Sequence, residues 1–232
     1  MATVYGVTYD SFSMHDEVYR TLRQQLGTLL ENLRTGEAGE ARNGLALAGT
    51  SLGGYWAARF GNHFGIPAVL INPTIHPHQS LKRYVGHKLL NFVTRSRNIL
   101  RDEVPASYGD IERSGHFLVL LDKGDEVLDY RVTEQWFASG KISGSSHPAQ
   151  PETPAPETVR RDCCKVVTFE GGSHRFSHMD EALPHIRQFL SRYFPSRQHP
   201  SGQHSSEKSP SGQSSSGQSS SGQSLSGQSP PR

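Results

Sequence analysis

The chain has 232 residues, 24 of them Lys or Arg and 22 Asp or Glu, for a formal net charge of +2. So small an excess gives no electrostatic reason to expect a nucleic-acid partner. No apolar run is long enough to span a bilayer, and the N-terminus lacks a signal-peptide pattern. The two cysteines, Cys163 and Cys164, are sequence neighbours, which rarely bridge, so no disulfide framework is implied. A reducing compartment suits them, and the expectation is a soluble cytoplasmic protein.

Val4-Tyr5-Gly6-Val7-Thr8-Tyr9 reads as a β-type run, closed by a turn at Asp10–Ser13. Ser13 with Asp16 reads as a helix start. Val18, Leu22, Leu26, Leu29 and Leu33 then recur every three or four residues, the apolar face of an amphipathic helix. After a polar loop, Gly44–Ala48 is short and apolar, as a buried parallel strand should be. Tyr55–Phe60 reads as the opening turns of a helix. Ala68–Ile71 is another buried strand, ended by Asn72-Pro73. Residues 74–113 are expected to form helices or a cap over the carboxyl ends of the sheet. Phe117–Leu121 is the strongest strand signal, and a helix holding Val132 and Trp136 follows it. Residues 139–160 read as a mobile loop. Lys165–Phe169 is the last strand. Leu183, Ile186, Phe189, Leu190 and Tyr193 mark a closing helix in which Pro184 fits only the first turn.

From about residue 195 the chain is Ser, Gly, Gln, His and Pro, with Ser-Gly-Gln recurring at 201, 211, 216, 221 and 226. Such a segment buries too little to offset its ordering entropy and is expected to be disordered. Residues 1–194 remain as one domain. Strands alternating with helices argue for a parallel sheet with helices on both faces, where functional groups gather outside the carboxyl ends of the strands.

Between the strand ending near Ala48 and the helix after it lies Gly49-Thr50-Ser51-Leu52-Gly53-Gly54, which fits the Gly-x-Ser-x-Gly of a nucleophile elbow. A sharp strand-to-helix turn there exposes the Ser51 hydroxyl beside a helix N-terminus that favours negative charge. The glycines let strand and helix approach closely. Two later loops at strand ends carry Asp125 and His174. Ser, then Asp, then His is the chain order of the α/β-hydrolase triad. A serine hydroxyl needs a base, a histidine titrating near neutrality suits, and the histidine needs a carboxylate to fix its tautomer.

Each residue also has a plainer role open to it. Asp125 sits in a turn-like Lys-Gly-Asp, and Glu126 and Asp129 compete for the acid role. His174 is one of twelve histidines. Gly49–Gly54 also suits a phosphate loop, but it has no lysine and leaves Asp125 and His174 without roles. His76 and His78 flank Pro77 with no Cys, Asp or Glu beside them in sequence, so no metal site is expected.

Four segments resemble the bacterial YqiA/YcfP esterase-like family, the UPF0227 group of α/β-hydrolases. They are Gly49–Ala57, Ala68–Pro73, Gly124–Tyr130 and Phe169–Phe176, and the likeness runs from residue 3 to about 194. It implies a three-layer α/β-hydrolase-like parallel sheet. It also implies Ser51 as nucleophile, Asp125 as acid and His174 as base, acting on a small acyl ester or thioester through an acyl-enzyme, with no cofactor.

The chain departs from the family at its start. The family opens with an apolar strand ending in a Tyr-x-His-Gly-Phe-like loop that supplies one oxyanion amide, the other coming from the residue after the nucleophile, here Leu52. No such loop is present, so Val4–Tyr9 corresponds to the family's second strand and the fold is expected to be N-terminally shortened. The expectation is a chain that begins inside a longer gene product or is a degenerate member. The alternative to the hydrolase is therefore a catalytically impaired protein on the same scaffold, acting by binding.

Overall fold

Phe117–Asp122 is buried at every position. The computed structural model describes residues 3–35, 44–91, 93–138 and 164–194, and within them this strand lies inside a four-stranded parallel sheet. In chain order the described elements are α1 (His15–Thr35), β1 (Leu47–Thr50), α2 (Leu52–Phe64), β2 (Ala68–Ile71), α3 (Pro77–Ser80) and a 3-10 turn (Lys82–Tyr84). Then come β3 (Lys88–Leu90), β4 (Arg97–Ile99), α4 (Glu103–Ala106), β5 (Phe117–Asp122), α5 (Tyr130–Ala138), β6 (Cys164–Phe169) and α6 (Met179–Ser191). The sheet order is β1-β2-β5-β6.

Leu47 pairs with Ala68, Ala68 with Phe117 and Phe117 with Cys164, so the four strands begin side by side. Their carboxyl ends therefore open onto one edge of the sheet. Side chains alternate between two packed faces, the period-two signature of a strand. Ala68, Leu70, Phe117, Val119 and Leu121 pack with Val18, Leu22 and Leu26 of α1, Trp56 and Phe60 of α2, and Trp136 and Phe137 of α5. Val69, Ile71, Leu118 and Leu120 pack with Ala182, Ile186 and Phe189 of α6. The result is three layers, an α/β sheet covered by helices on both faces.

Val4–Tyr9 is not a strand. The segment is irregular, with Val4 90% and Tyr5 57% exposed, and β1 is the end strand of the sheet. A β-prone run with no neighbouring strand has nothing to satisfy its ladder groups. The segment is tied down at its end instead, where Asp10 Oδ1 accepts from the Phe12 amide and from Asn91 Nδ2, both at 2.8 Å. The amide that opens α1, that of His15, donates to Ser107 Oγ at 2.9 Å, a partner distant in sequence.

Residues 74–113, expected to form helices or a cap over the carboxyl ends of the sheet, hold short helical turns and also an antiparallel ribbon in which Lys88 pairs with Ile99 and Leu90 with Arg97. Asn91 explains the ribbon. Its Oδ1 takes the amides of Val93 (2.9 Å) and Thr94 (3.1 Å), a local competitor that turns the chain back before a helix forms. Pro184 is also not in a first turn: α6 begins at Met179, which puts the proline inside the helix. The face is exposed there, so water can take the Asp180 carbonyl that loses its partner. The expected mobile loop at 139–160, the expected disordered tail at 195–232 and Cys163 lie outside the described residues. No described helix is long and apolar enough to cross a membrane.

Candidate active site

The turn between β1 and α2 holds Ser51 at φ 54°, ψ −120°, a backbone region that non-glycine residues avoid at a cost of order 1–3 kcal/mol. Hydrogen bonds over-determine it. The Ser51 amide donates to Ile71 O at 3.0 Å, and its carbonyl accepts from Thr74 (3.1 Å), Gly54 (3.0 Å) and Tyr55 (3.3 Å). A Cβ on Gly49 would lie 2.1 Å from Gly53 O, and one on Gly54 would lie 2.8 Å from the Pro73 side chain. One on Gly53 would meet nothing within 4 Å. The close approach that the motif requires thus falls on Gly49 and Gly54, not on Gly53. Leu52 opens α2, where backbone N–H groups have no partner inside the helix.

The Asp125 and His174 loops reach the same point. His174 Nε2 lies 3.0 Å from Ser51 Oγ. Its Nδ1 lies 2.8 Å from Asp125 Oδ2 and 3.0 Å from Oδ1. In the neutral tautomer that this implies, Ser51 donates to Nε2 and Nδ1–H donates to the carboxylate. The Asp125 side chain is buried, 2% exposed, while that of His174 keeps 20%. Two further donors hold Asp125 Oδ1, the amides of Val127 and Leu128, both at 2.8 Å.

Three carboxylates compete for the imidazole in the sequence, and the structure gives each a different partner. Glu126 Oε2 accepts the His174 backbone amide at 3.0 Å. Its own backbone N–H, and after it the His174 amide, hold Glu126 below the ordinary carboxylate range. Asp129 accepts from the Arg131 amide at 3.0 Å. Only Asp125 reaches the ring.

Asn72, which the sequence marked merely as a strand end, and Asp122, the last residue of β5, brace this histidine. Asn72, with φ 39° and buried, accepts the Asp122 amide on Oδ1 at 2.9 Å. Its Nδ2 donates to the carbonyls of Ser173 (3.0 Å) and His174 (3.3 Å). Asp122, fully buried, accepts on Oδ2 from the amides of Ser173 (3.1 Å) and Ser177 (2.7 Å), and on Oδ1 from His178 Nδ1 (2.7 Å). The hydrogen bond to Asp122 raises the His178 pKa above its ordinary 6.5. The loops touch through glycines: the Gly124 amide meets Gly171 O at 2.6 Å, and a Cβ on Gly172 would lie 2.0 Å from Asp122 Oδ2. The signal in the sequence was a charged residue ending a wholly apolar strand, which has to find partners if buried.

His76 and His78 share one carboxylate, Asp110 Oδ1, at 2.7 Å and 3.4 Å. Among the described residues no three His, Cys, Asp or Glu side chains are grouped to hold a metal ion.

Residues 13–142, more than half of the chain, match the model of the family described as "Uncharacterised protein family (UPF0227)". The chain belongs to UPF0227. UPF0227 relatives include a protein of Vibrio cholerae serotype O1, 29% identical over 99 residues, covering 38% of this chain and 46% of the relative. One of Shewanella woodyi is 31% identical over 96 residues, covering 37% and 44%. The chain spans less than half the length of these curated relatives. Among solved structures, a Pyrococcus furiosus esterase aligns over 78% of this chain and 63% of its own at 13% identity and a TM-score of 0.49. Est1E of Butyrivibrio proteoclasticus, with ferulic acid bound, aligns over 77% and 69% at 14% identity and a TM-score of 0.48.

Proposed function

We propose that this UPF0227 protein is a serine hydrolase that cleaves an acyl ester or thioester, with Ser51 as nucleophile, His174 as base and Asp125 as the acid that orients it. The observation that carries the reading is the unbroken hydrogen-bonded chain from Ser51 Oγ to His174 Nε2 and from His174 Nδ1 to Asp125, started by a strained serine. Ser51 Oγ attacks the acyl carbon while its proton passes to His174 Nε2. The imidazolium, steadied by Asp125, returns that proton to the departing alcohol or thiol as its bond to the acyl carbon breaks. Water then repeats the sequence in reverse and frees the acid. The Leu52 N–H stabilises the oxyanion, and each such donor is typically worth ~10²–10³ in turnover.

Hydrolysis of short-chain p-nitrophenyl esters tests the reading, with Ser51→Ala as control. Turnover that vanishes in the variant supports it. Absence of turnover in protein shown to be folded contradicts it and favours a binding role on the same scaffold.

A further inference from the structure

A cavity of about 240 Å³ opens among the segments that follow β2 and β5, where ligands bind in open parallel sheets. Ser51, Asp125 and His174 do not line it, but residues bonded to two of them do. Its walls come from the chain after β2, including α3 and the 3-10 turn, and from the chain after β5, including the start of α5. Thr74, whose amide donates to Ser51 O, lines one side. Val127 and Leu128, whose amides hold Asp125, line another.

The cavity has a distinct chemical character. Ile75, Val127, Leu128 and Val132 supply an apolar part. Its polar part is rich in donors. Arg83 is an exposed lining residue whose Nε donates to Ser80 O at 3.1 Å, and among the described residues no carboxylate is ion-paired to it. The hydroxyls of Thr74 and Ser80, 2.6 Å apart, stand in the same wall. The one acidic lining residue, Asp129, is engaged by its own neighbour: Oδ1 accepts the Arg131 amide at 3.0 Å and lies 3.7 Å from that guanidinium. The volume falls below the ~300–1,000 Å³ of pockets that enclose larger ligands, so it suits a short chain.

We propose that this cavity is a substrate subsite for a short aliphatic chain ending in a carboxylate. The substrate would then be a half-ester or half-thioester of a small dicarboxylic acid, or an ester whose leaving group carries the carboxylate. Arg83 binds that carboxylate and the apolar wall takes the methylenes. The inference rests on the hydrolase reading for the ligand's fate, but not for its binding.

Binding is therefore measured on the Ser51→Ala protein, which cannot turn a ligand over. It is titrated, with detection by nuclear magnetic resonance, with monomethyl glutarate and with neutral methyl valerate. An ion pair this exposed predicts about a fivefold preference for the half-ester, falling to near one in Arg83→Gln and partly kept in Arg83→Lys. Equal binding of the two esters, or a preference that survives Arg83→Gln, overturns the proposal. In the wild-type protein, p-nitrophenyl hemiglutarate and the butyrate ester of 4-hydroxybutyrate, the latter followed by acid release, each set against a neutral counterpart, tell which half carries the charge. If the binding preference holds but no ester is cleaved, the hydrolase reading fails and the subsite stands. If esters are cleaved without any charge preference, the subsite fails and the hydrolase reading stands.

Discussion

At the scale of single residues, the site depends on groups that tolerate little change. Replacing Asp125 by Asn keeps the shape but presents a donor to Nδ1 and favours the wrong imidazole tautomer. Asp125→Asn should lower kcat by about three to four orders of magnitude with little change in KM, read from ester hydrolysis. The elbow glycines should divide. Gly49→Ala places a methyl 2.1 Å from a backbone carbonyl and should disrupt the turn, abolishing activity and lowering the melting temperature. Gly53→Ala meets open space in the first turn of a helix and should leave the fold intact, with up to about 1 kcal/mol of added stability in chemical denaturation. The sequence motif alone ranks these two glycines alike. It could not do otherwise, because the difference lies in which of them faces the returning chain.

At the scale of elements, the His174 loop depends on ionisation. Two charged groups hold it. Glu126, with its pKa lowered, contributes stability that is present above about pH 4.5 and is lost as the pH falls through its folded value. His178, with its pKa raised, contributes stability that is complete below pH 6.5 and is lost as the pH rises through its folded value. The loop should therefore be firmest between about pH 4.5 and pH 6.5, where both contributions are complete. His178→Gln should flatten the decline of melting temperature above pH 6.5, and an unchanged profile would show that the pair with Asp122 does not govern the loop. Much of this element was legible in the sequence. Gly171-Gly172-Ser173-His174 after a strand marked a histidine loop, and Asp125 stood in order before it. The bracing by Asn72 and Asp122 was not, because it joins positions 50 and about 100 residues apart through side-chain oxygens that local pattern does not register. The ribbon of β3 and β4 escaped for a similar reason. Leu89 and Leu90 have an apolar character that helix and strand share, and one asparagine side chain decides between them.

For the molecule as a whole, the sheet was legible wherever strands are buried on both faces. Ala68–Ile71 and Phe117–Leu121 read as continuous apolar runs because each side chain meets a helix layer. Val4–Tyr9 is also β-prone, but it has no described strand beside it and stays irregular, since β-propensity expresses a place in a sheet rather than the run itself. Leu120, fully buried under α6, should cost about 2–5 kcal/mol when cut to Ala, measured by urea unfolding. The rim that this core supports is what brings three loops, from positions 51, 125 and 174, to one point.

The central claim is that Ser51 is an activated nucleophile, and covalent labelling of the folded protein with a fluorophosphonate tests it most directly. The account predicts a single adduct, mapped by peptide mass to Ser51 and lost in His174→Ala. Folded protein that stays unlabelled, or that is labelled at another serine, would contradict it.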